Sequence, residues 1–204
     1  MSAATVAALY VDGAGVYANL PGVEVWDEAR DARNYAGPWP VVAHPPCARW
    51  SLMGLCRGYY DGEDGGCFEA ALNAVRRYGG VLEHPAHSLA WKRFELARPV
   101  AEGWTCTLFT RGMTCQVDQR RYGHEANKPT WLYYVGPEPP PAMLWGRGPK
   151  GTKTVGRSWG QHRSDRGRSR TPEAFRDVLL AMARSATQVP RSSGASEIDA
   201  LGAA

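Results

Sequence analysis

The sequence has no run of apolar residues approaching the roughly 20 needed to cross a bilayer. Met1 to Asp12 lacks the basic start and long apolar stretch of a signal peptide, so the expectation is a soluble, intracellular protein. Cysteine is sparse and unpaired in pattern: Cys47, Cys56, Cys67, Cys106 and Cys115 are odd in number and contain no C-x-x-C, which argues against a disulfide framework. Eight residues separate Cys47 from Cys56 and ten separate Cys56 from Cys67, spacings that complete no zinc pattern with the nearby histidines, so no metal is expected. There is no internal repeat.

What is present is enough apolar material for one core. The chain has 204 residues, 44% of them hydrophobic, and eight tryptophans, which suits one domain with appended segments. Charge is unevenly spread. Residues 1 to 104 carry 9 Lys or Arg against 12 Asp or Glu, net −3, and the remainder carries 15 against 8, net +7. Between Gly146 and Arg170 stand eight basic residues, among them Arg157, Arg163, Arg166 and Arg168, and one acid, Asp165. Trp145, Trp159 and His162 lie beside them, a composition that suits a phosphate backbone with exposed bases; a solvated loop is the plainer reading.

Short apolar runs end on turns or prolines. Thr5 to Val11 breaks at Asp12-Gly13-Ala14-Gly15, Val23 to Trp26 ends on Asp27-Glu28, and Val41-Val42-Ala43 stops at a double proline. Phe68, Leu72 and Val75 recur at helical spacing from Cys67 to Tyr78, with Gly79-Gly80 as the stop; Val81-Leu82-Glu83 forms the next strand. Strands of this kind around a helix predict an open parallel sheet with its sites at the carboxyl ends of the strands. Cys115 to Asp118 and Thr130 to Val135 predict a closing hairpin, and Thr171-Pro172-Glu173 opens a helix with a Phe175, Val178, Leu179, Met182 stripe. The expected organisation is an α/β core over 1–136, a basic Gly/Pro/Arg-rich segment over 137–170, a helix packing on the core over 171–186 and a disordered tail over 187–204.

The tightest clue is His44-Pro45-Pro46-Cys47 after the third strand, which we read as presenting a cysteine nucleophile beyond the sheet edge. Pro45-Pro46-Cys47 with Arg49-Trp50-Ser51, followed by Leu82-Glu83-His84-Pro85, resembles the DNA cytosine-5 methyltransferases. In that family a Pro-Pro-Cys motif supplies the thiolate and a Glu-Asn-Val or Glu-Asn-Pro motif supplies a carboxylic acid. The resemblance implies a truncated Rossmann-like, mostly parallel sheet. It makes Cys47 the group that adds to carbon 6 of a flipped cytosine, with Glu83 assisting at ring nitrogen 3. The enamine so formed attacks the methyl group of S-adenosylmethionine, whose sulfur leaves as a thioether, and loss of the carbon 5 proton then expels the thiol.

The same resemblance implies cofactor contacts from Asp12, Gly13, Gly15, Asp27, Glu28, Asp31 and Pro45, and DNA contacts from Arg49, Ser51, Arg120, Arg121, His124 and Lys128. Taken alone, Glu83 could equally cap the next helix, a job open to His87 or Ser88. Three departures stand out. Too few residues separate Gly15 from Val23 for a three-turn helix, His44 replaces a glycine and His84 replaces an asparagine. Tyr122-Gly123-His124 and Lys128-Pro129-Thr130-Trp131-Leu132 also look like small phage and prophage proteins labelled DNA methylases, which would place this chain in the cytoplasm of a bacterial host. Alternative readings are carbon 5 modification with another electrophile, an amino-methyltransferase with a distorted Asp-Pro-Pro-Tyr motif, and a non-catalytic DNA-binding protein on a degenerate methyltransferase fold.

Overall fold

Four short strands, β1 (Val6–Leu9), β2 (Val23–Trp26), β3 (Val41–Ala43) and β4 (Gly80–Pro85), lie parallel in the spatial order β2-β1-β3-β4. The computed structural model that gives this arrangement describes residues 5–51, 63–106, 112–137, 140–149 and 170–186. Three further strands, β5 (Trp104–Cys106), β6 (Met113–Asp118) and β7 (Pro129–Val135), complete a seven-stranded mixed sheet in the order β2-β1-β3-β4-β7-β6-β5. β7 runs antiparallel to both β4 and β6, and β5 runs antiparallel to β6. The hairpin expected from the sequence is therefore present, but antiparallel pairing accounts for half of the sheet, so the sheet is mixed where a mostly parallel one was expected. The sequence pattern does not reveal β5, whose three residues carry no alternation long enough to register.

The strands have almost no polar face because the sheet is covered on both sides. Along β1, Val6 and Ala8 join one core layer while Ala7 and Leu9 join the other. Helix α1 (Cys67–Tyr78) buries Phe68, Ala71, Leu72 and Val75 in the layer that contains Leu9, Ala43 and Leu82. The short helix α2 (Leu89–Arg93) adds Trp91 to that layer. Helix α3 (Glu173–Ala186) covers the opposite face with Phe175, Leu179, Met182 and Ala183 against Val6, Val42 and Val81. Its stripe is the one legible in the sequence, and each of these side chains is essentially inaccessible.

Between Gly15 and Val23 the chain forms turns, with Ala18 N–H donating to the Gly15 carbonyl (3.0 Å) and Val23 N–H to that of Leu20 (3.1 Å). The shortage of residues for a helix there is thus real. The described residues 140–149 form neither helix nor strand, as their Pro and Gly content predicts; the tail expected after residue 186 lies outside the described residues. No helix among the described residues is long and apolar enough to cross a membrane. From β1 the chain steps outward to β2 and then returns to the other side of β1 as β3. Such a reversal opens a crevice at the carboxyl ends of the strands.

Candidate active site

The register of the sheet assembles the site. Ala43 pairs with Leu82, so the next residues, His44 and Glu83, stand side by side and point to the face opposite Ala43 and Leu82. His44 Nδ1 lies 2.9 Å from Glu83 Oε2, and His44 Nε2 lies 2.8 Å from the Tyr17 hydroxyl. Gln119 Nε2 donates to the other carboxylate oxygen, Glu83 Oε1, at 2.9 Å and to Thr130 Oγ1 at 3.0 Å. Tyr17, His44, Glu83, Gln119 and Thr130 form one continuous polar chain across the carboxyl edge of the sheet. Three residues beyond His44, Cys47 is exposed and begins the 3-10 helix Ala48–Trp50.

Each member is fixed by its own element. Tyr17 sits in the turns between Gly15 and Val23, is almost fully buried, and has its neighbour's carbonyl, Val16 O, tied to Arg176 of α3 at 2.9 Å. Gln119 is held by Asp118, whose carboxylate accepts from the N–H groups of Arg120 (3.0 Å), Lys128 (2.9 Å) and Gly148 (3.0 Å) and from Asn127 Nδ2 (2.8 Å). Burial works against the Asp118 charge, yet these donors hold its carboxyl below the ordinary range. Gln119 N–H also donates to the Lys128 carbonyl at 3.1 Å, which closes the loop between β6 and β7 and aims the Gln119 side chain inward.

Burial pushes the Glu83 carboxyl up, but the Lys128 charge, the hydrogen bond and charge of His44 and the nearby His84 outweigh it and bring it down to about 2. Glu83 is therefore a buried carboxylate. Its chain neighbour His84 points to the opposite core layer, packed against Phe68 and Trp91 with ring centroids 5.1 and 6.3 Å away. Burial lowers the His84 ring to about 4 against the pull of Glu83. The Pro46 carbonyl favours the His84 proton from nearby, but neither ring nitrogen reaches a partner in good hydrogen-bond geometry.

A second feature adjoins this chain. At the ends of β1 and β2 a cleft of about 1150 Å³ is lined by Tyr10, Asp12, Gly13, Asp27, Glu28, Asp31, Arg33, Pro46 and Cys67, among others. Five of the predicted cofactor residues, Asp12, Gly13, Asp27, Glu28 and Asp31, meet here. Gly15 closes the turn behind them through its N–H to the Asp12 carbonyl (2.9 Å), and Pro46 lines the cleft where Pro45 was expected, because Pro45 is turned inward and buried. A Cβ at Gly13 would approach Asp27 Oδ2 to 2.8 Å, a contact that a turn of the Asp27 side chain would relieve. Asp31 is gripped at both oxygens by Arg33 at 2.7 Å, which holds its carboxyl below the usual range. Cys67 is half-buried and faces this cleft from the first turn of α1.

The predicted DNA contacts divide. Arg49 and Ser51 flank the Cys47 turn and are half-buried, with Ser51 Oγ donating to the Ala48 carbonyl at 3.3 Å. Arg120 is turned back onto the His124 carbonyl (2.8 Å) and Arg121 onto that of Gly146 (3.1 Å). His124 is buried and its Nδ1 accepts from Ala126 N–H at 3.0 Å, so it shapes the loop and does not face solvent. Ser88, not Glu83, caps α2, accepting from Ala90 N–H at 3.2 Å. Arg157, Arg163, Arg166 and Arg168, like Cys56, lie outside the described residues. Tyr17, Gln119 and Thr130 were not legible as site residues, because nothing in a turn, a hairpin loop or a strand start marks which side chain the fold will bring to Glu83. No protein-family model matches the chain, and no curated protein matches it either.

Proposed function

We propose that the protein is a DNA cytosine-5 methyltransferase-like enzyme built on a truncated Rossmann-like sheet. The observation that carries this reading is the pairing, at the ends of adjacent strands, of His44, three residues before Cys47, with the buried Glu83 carboxylate, beside the cleft at the ends of β1 and β2. The Cys47 thiolate adds to carbon 6 of a cytosine flipped out of the stack, since a stacked base is out of its reach. Glu83 receives the ring edge at nitrogen 3. As negative charge grows on that nitrogen beside a carboxylate, proton uptake at the pair becomes favourable, so Glu83 carries a proton only once the base is bound.

The cleft supports S-adenosylmethionine as the electrophile. Four acids, Asp12, Asp27, Glu28 and Asp31, line it against one arginine, Arg33, which Asp31 already engages. That lining suits a cationic sulfonium with ribose hydroxyls and repels a free phosphate. Pro46, directly before Cys47, borders the cleft, so the cleft adjoins the turn that carries the proposed nucleophile. DNA is the proposed partner.

The test is incubation with labelled S-adenosylmethionine and DNA containing 5-fluorocytosine, which traps the carbon 6 adduct because the fluorine cannot leave as a proton does. Wild-type protein forms a covalent, labelled complex, and Cys47→Ala forms none. Absence of both cofactor binding and adduct in the wild type would sink the reading. An adduct without label would move it to carbon 5 modification with another electrophile.

A further inference from the structure

Glu83 is held by a side-chain pair that its assigned chemistry does not itself require. We infer that Tyr17 and His44 are positioning residues: Tyr17 fixes His44 so that its Nδ1 carries a proton and donates it to Glu83, setting the carboxylate in place before a base arrives. The inference rests on the reading of Glu83 given above, but the arrangement it describes belongs to the resting protein.

Hydrogen-bond valence puts a proton on His44 Nδ1. A carboxylate only accepts, and Gln119 Nε2 already donates to Oε1, so Oε2 requires a donor at its 2.9 Å partner, His44 Nδ1. Burial, with Glu83 and Asp177 adding to it against Arg176, raises the Tyr17 phenol well above its ordinary value, so the phenol keeps its proton. Its O–H can then donate 2.8 Å away to His44 Nε2, leaving the ring proton on Nδ1. The opposite tautomer would require Glu83 to be the donor, against the charge of Lys128, which favours the carboxylate. The rings of Tyr17 and His44 are tilted at 54° with centroids 5.5 Å apart, and Tyr17 is only 2% exposed, so the ring of His44 is clamped from one side. The shortened turn after Gly15 thereby acquires a role: it delivers Tyr17 to the catalytic edge.

Nitrogen-15 NMR of the histidine rings decides the tautomer without reference to activity. The expected spectrum for His44 has a protonated Nδ1, and Tyr17→Phe redistributes the proton toward Nε2. A resting His44 with a bare Nδ1, or with both ring nitrogens protonated, overturns the proposal. In the 5-fluorocytosine trapping assay, His44→Asn keeps an N–H near the Nδ1 position, whereas His44→Gln places its amide near Nε2. Adduct formation is expected to fall about tenfold in Tyr17→Phe and in His44→Asn, and about a hundredfold in His44→Gln and His44→Ala, as removal of a bond to a charged group implies. Equal rates for His44→Asn and His44→Gln, with both proteins folded by circular dichroism, also overturn it. If wild-type protein forms no adduct while the Nδ1 proton is observed, it is the functional reading that fails and the positioning that stands.

Discussion

His84 illustrates how one side chain converts burial into a pH dependence. Its ring is 1% exposed and is held at about 4, where an ordinary histidine titrates near 6.5. As pH falls the unfolded chain takes up the proton first, so this contribution to stability is complete above about pH 6.5 and is lost as pH falls toward 4. At about 1.4 kcal/mol per pH unit the loss is on the order of 3 kcal/mol. Glu83 has the opposite charge but the same sense: its carboxyl, held at about 2, adds a second loss that begins only below about pH 4.3. Urea unfolding of His84→Phe, which suits the pocket of Phe68 and Trp91, should give a flat stability between pH 6.5 and 4.5 where the wild type declines. An unchanged decline would place its origin elsewhere.

At the scale of elements, the join between α1 and β4 is the most constrained point. Gly79 ends the helix, donating to the Val75 carbonyl at 2.9 Å, and Gly80 follows at φ 114 with its α-carbon against the Val41 backbone. Any side chain at Gly80 strikes β3, so α1 could not turn into β4 while β4 pairs with β3. Gly80→Ala is expected to cost on the order of 3 kcal/mol, read as a lower urea midpoint. Gly66→Ala, at φ 80 but with nothing among the described residues within 4 Å of the added carbon, should cost about 1 kcal/mol. This join also sets the register of Ala43 against Leu82, and with it the meeting of His44 and Glu83. The same pair of glycines is visible in the sequence as a helix stop. Its effect on the candidate site is not, because register is a property of two strands and not of either alone.

Across the whole molecule, the acidic and basic parts divide as the two proposed ligands do. The net −3 of residues 1 to 104 includes the acids of the cleft, and the net +7 of the remainder includes the Gly146 to Arg170 segment. DNA affinity should therefore fall steeply with salt. Replacing Arg157, Arg163, Arg166 and Arg168 by alanine should flatten the slope of log affinity against log salt by about 3, at roughly 0.7–0.9 for each phosphate no longer neutralised. Cys47-dependent trapping at saturating DNA should survive the replacement. An unaltered slope would show that the segment does not touch the backbone.

The sequence by itself determined the local elements. Strands β1 to β4, the hairpin of β6 and β7, helix α1 and the stripe of α3 follow from apolar runs, prolines and glycines, whose preferences act within a few residues. It also singled out Cys47, Glu83 and the acids of the cleft, since a double proline before a cysteine and carboxylates at strand ends are visible in one dimension. Only the tertiary structure decided that Tyr17, His44, Gln119 and Thr130 converge on Glu83, that His124 turns inward and that Pro46 borders the cleft where Pro45 does not. Those outcomes depend on strand order and register, which join residues as much as 66 positions apart (Tyr17 to Glu83) through contacts that no local pattern encodes.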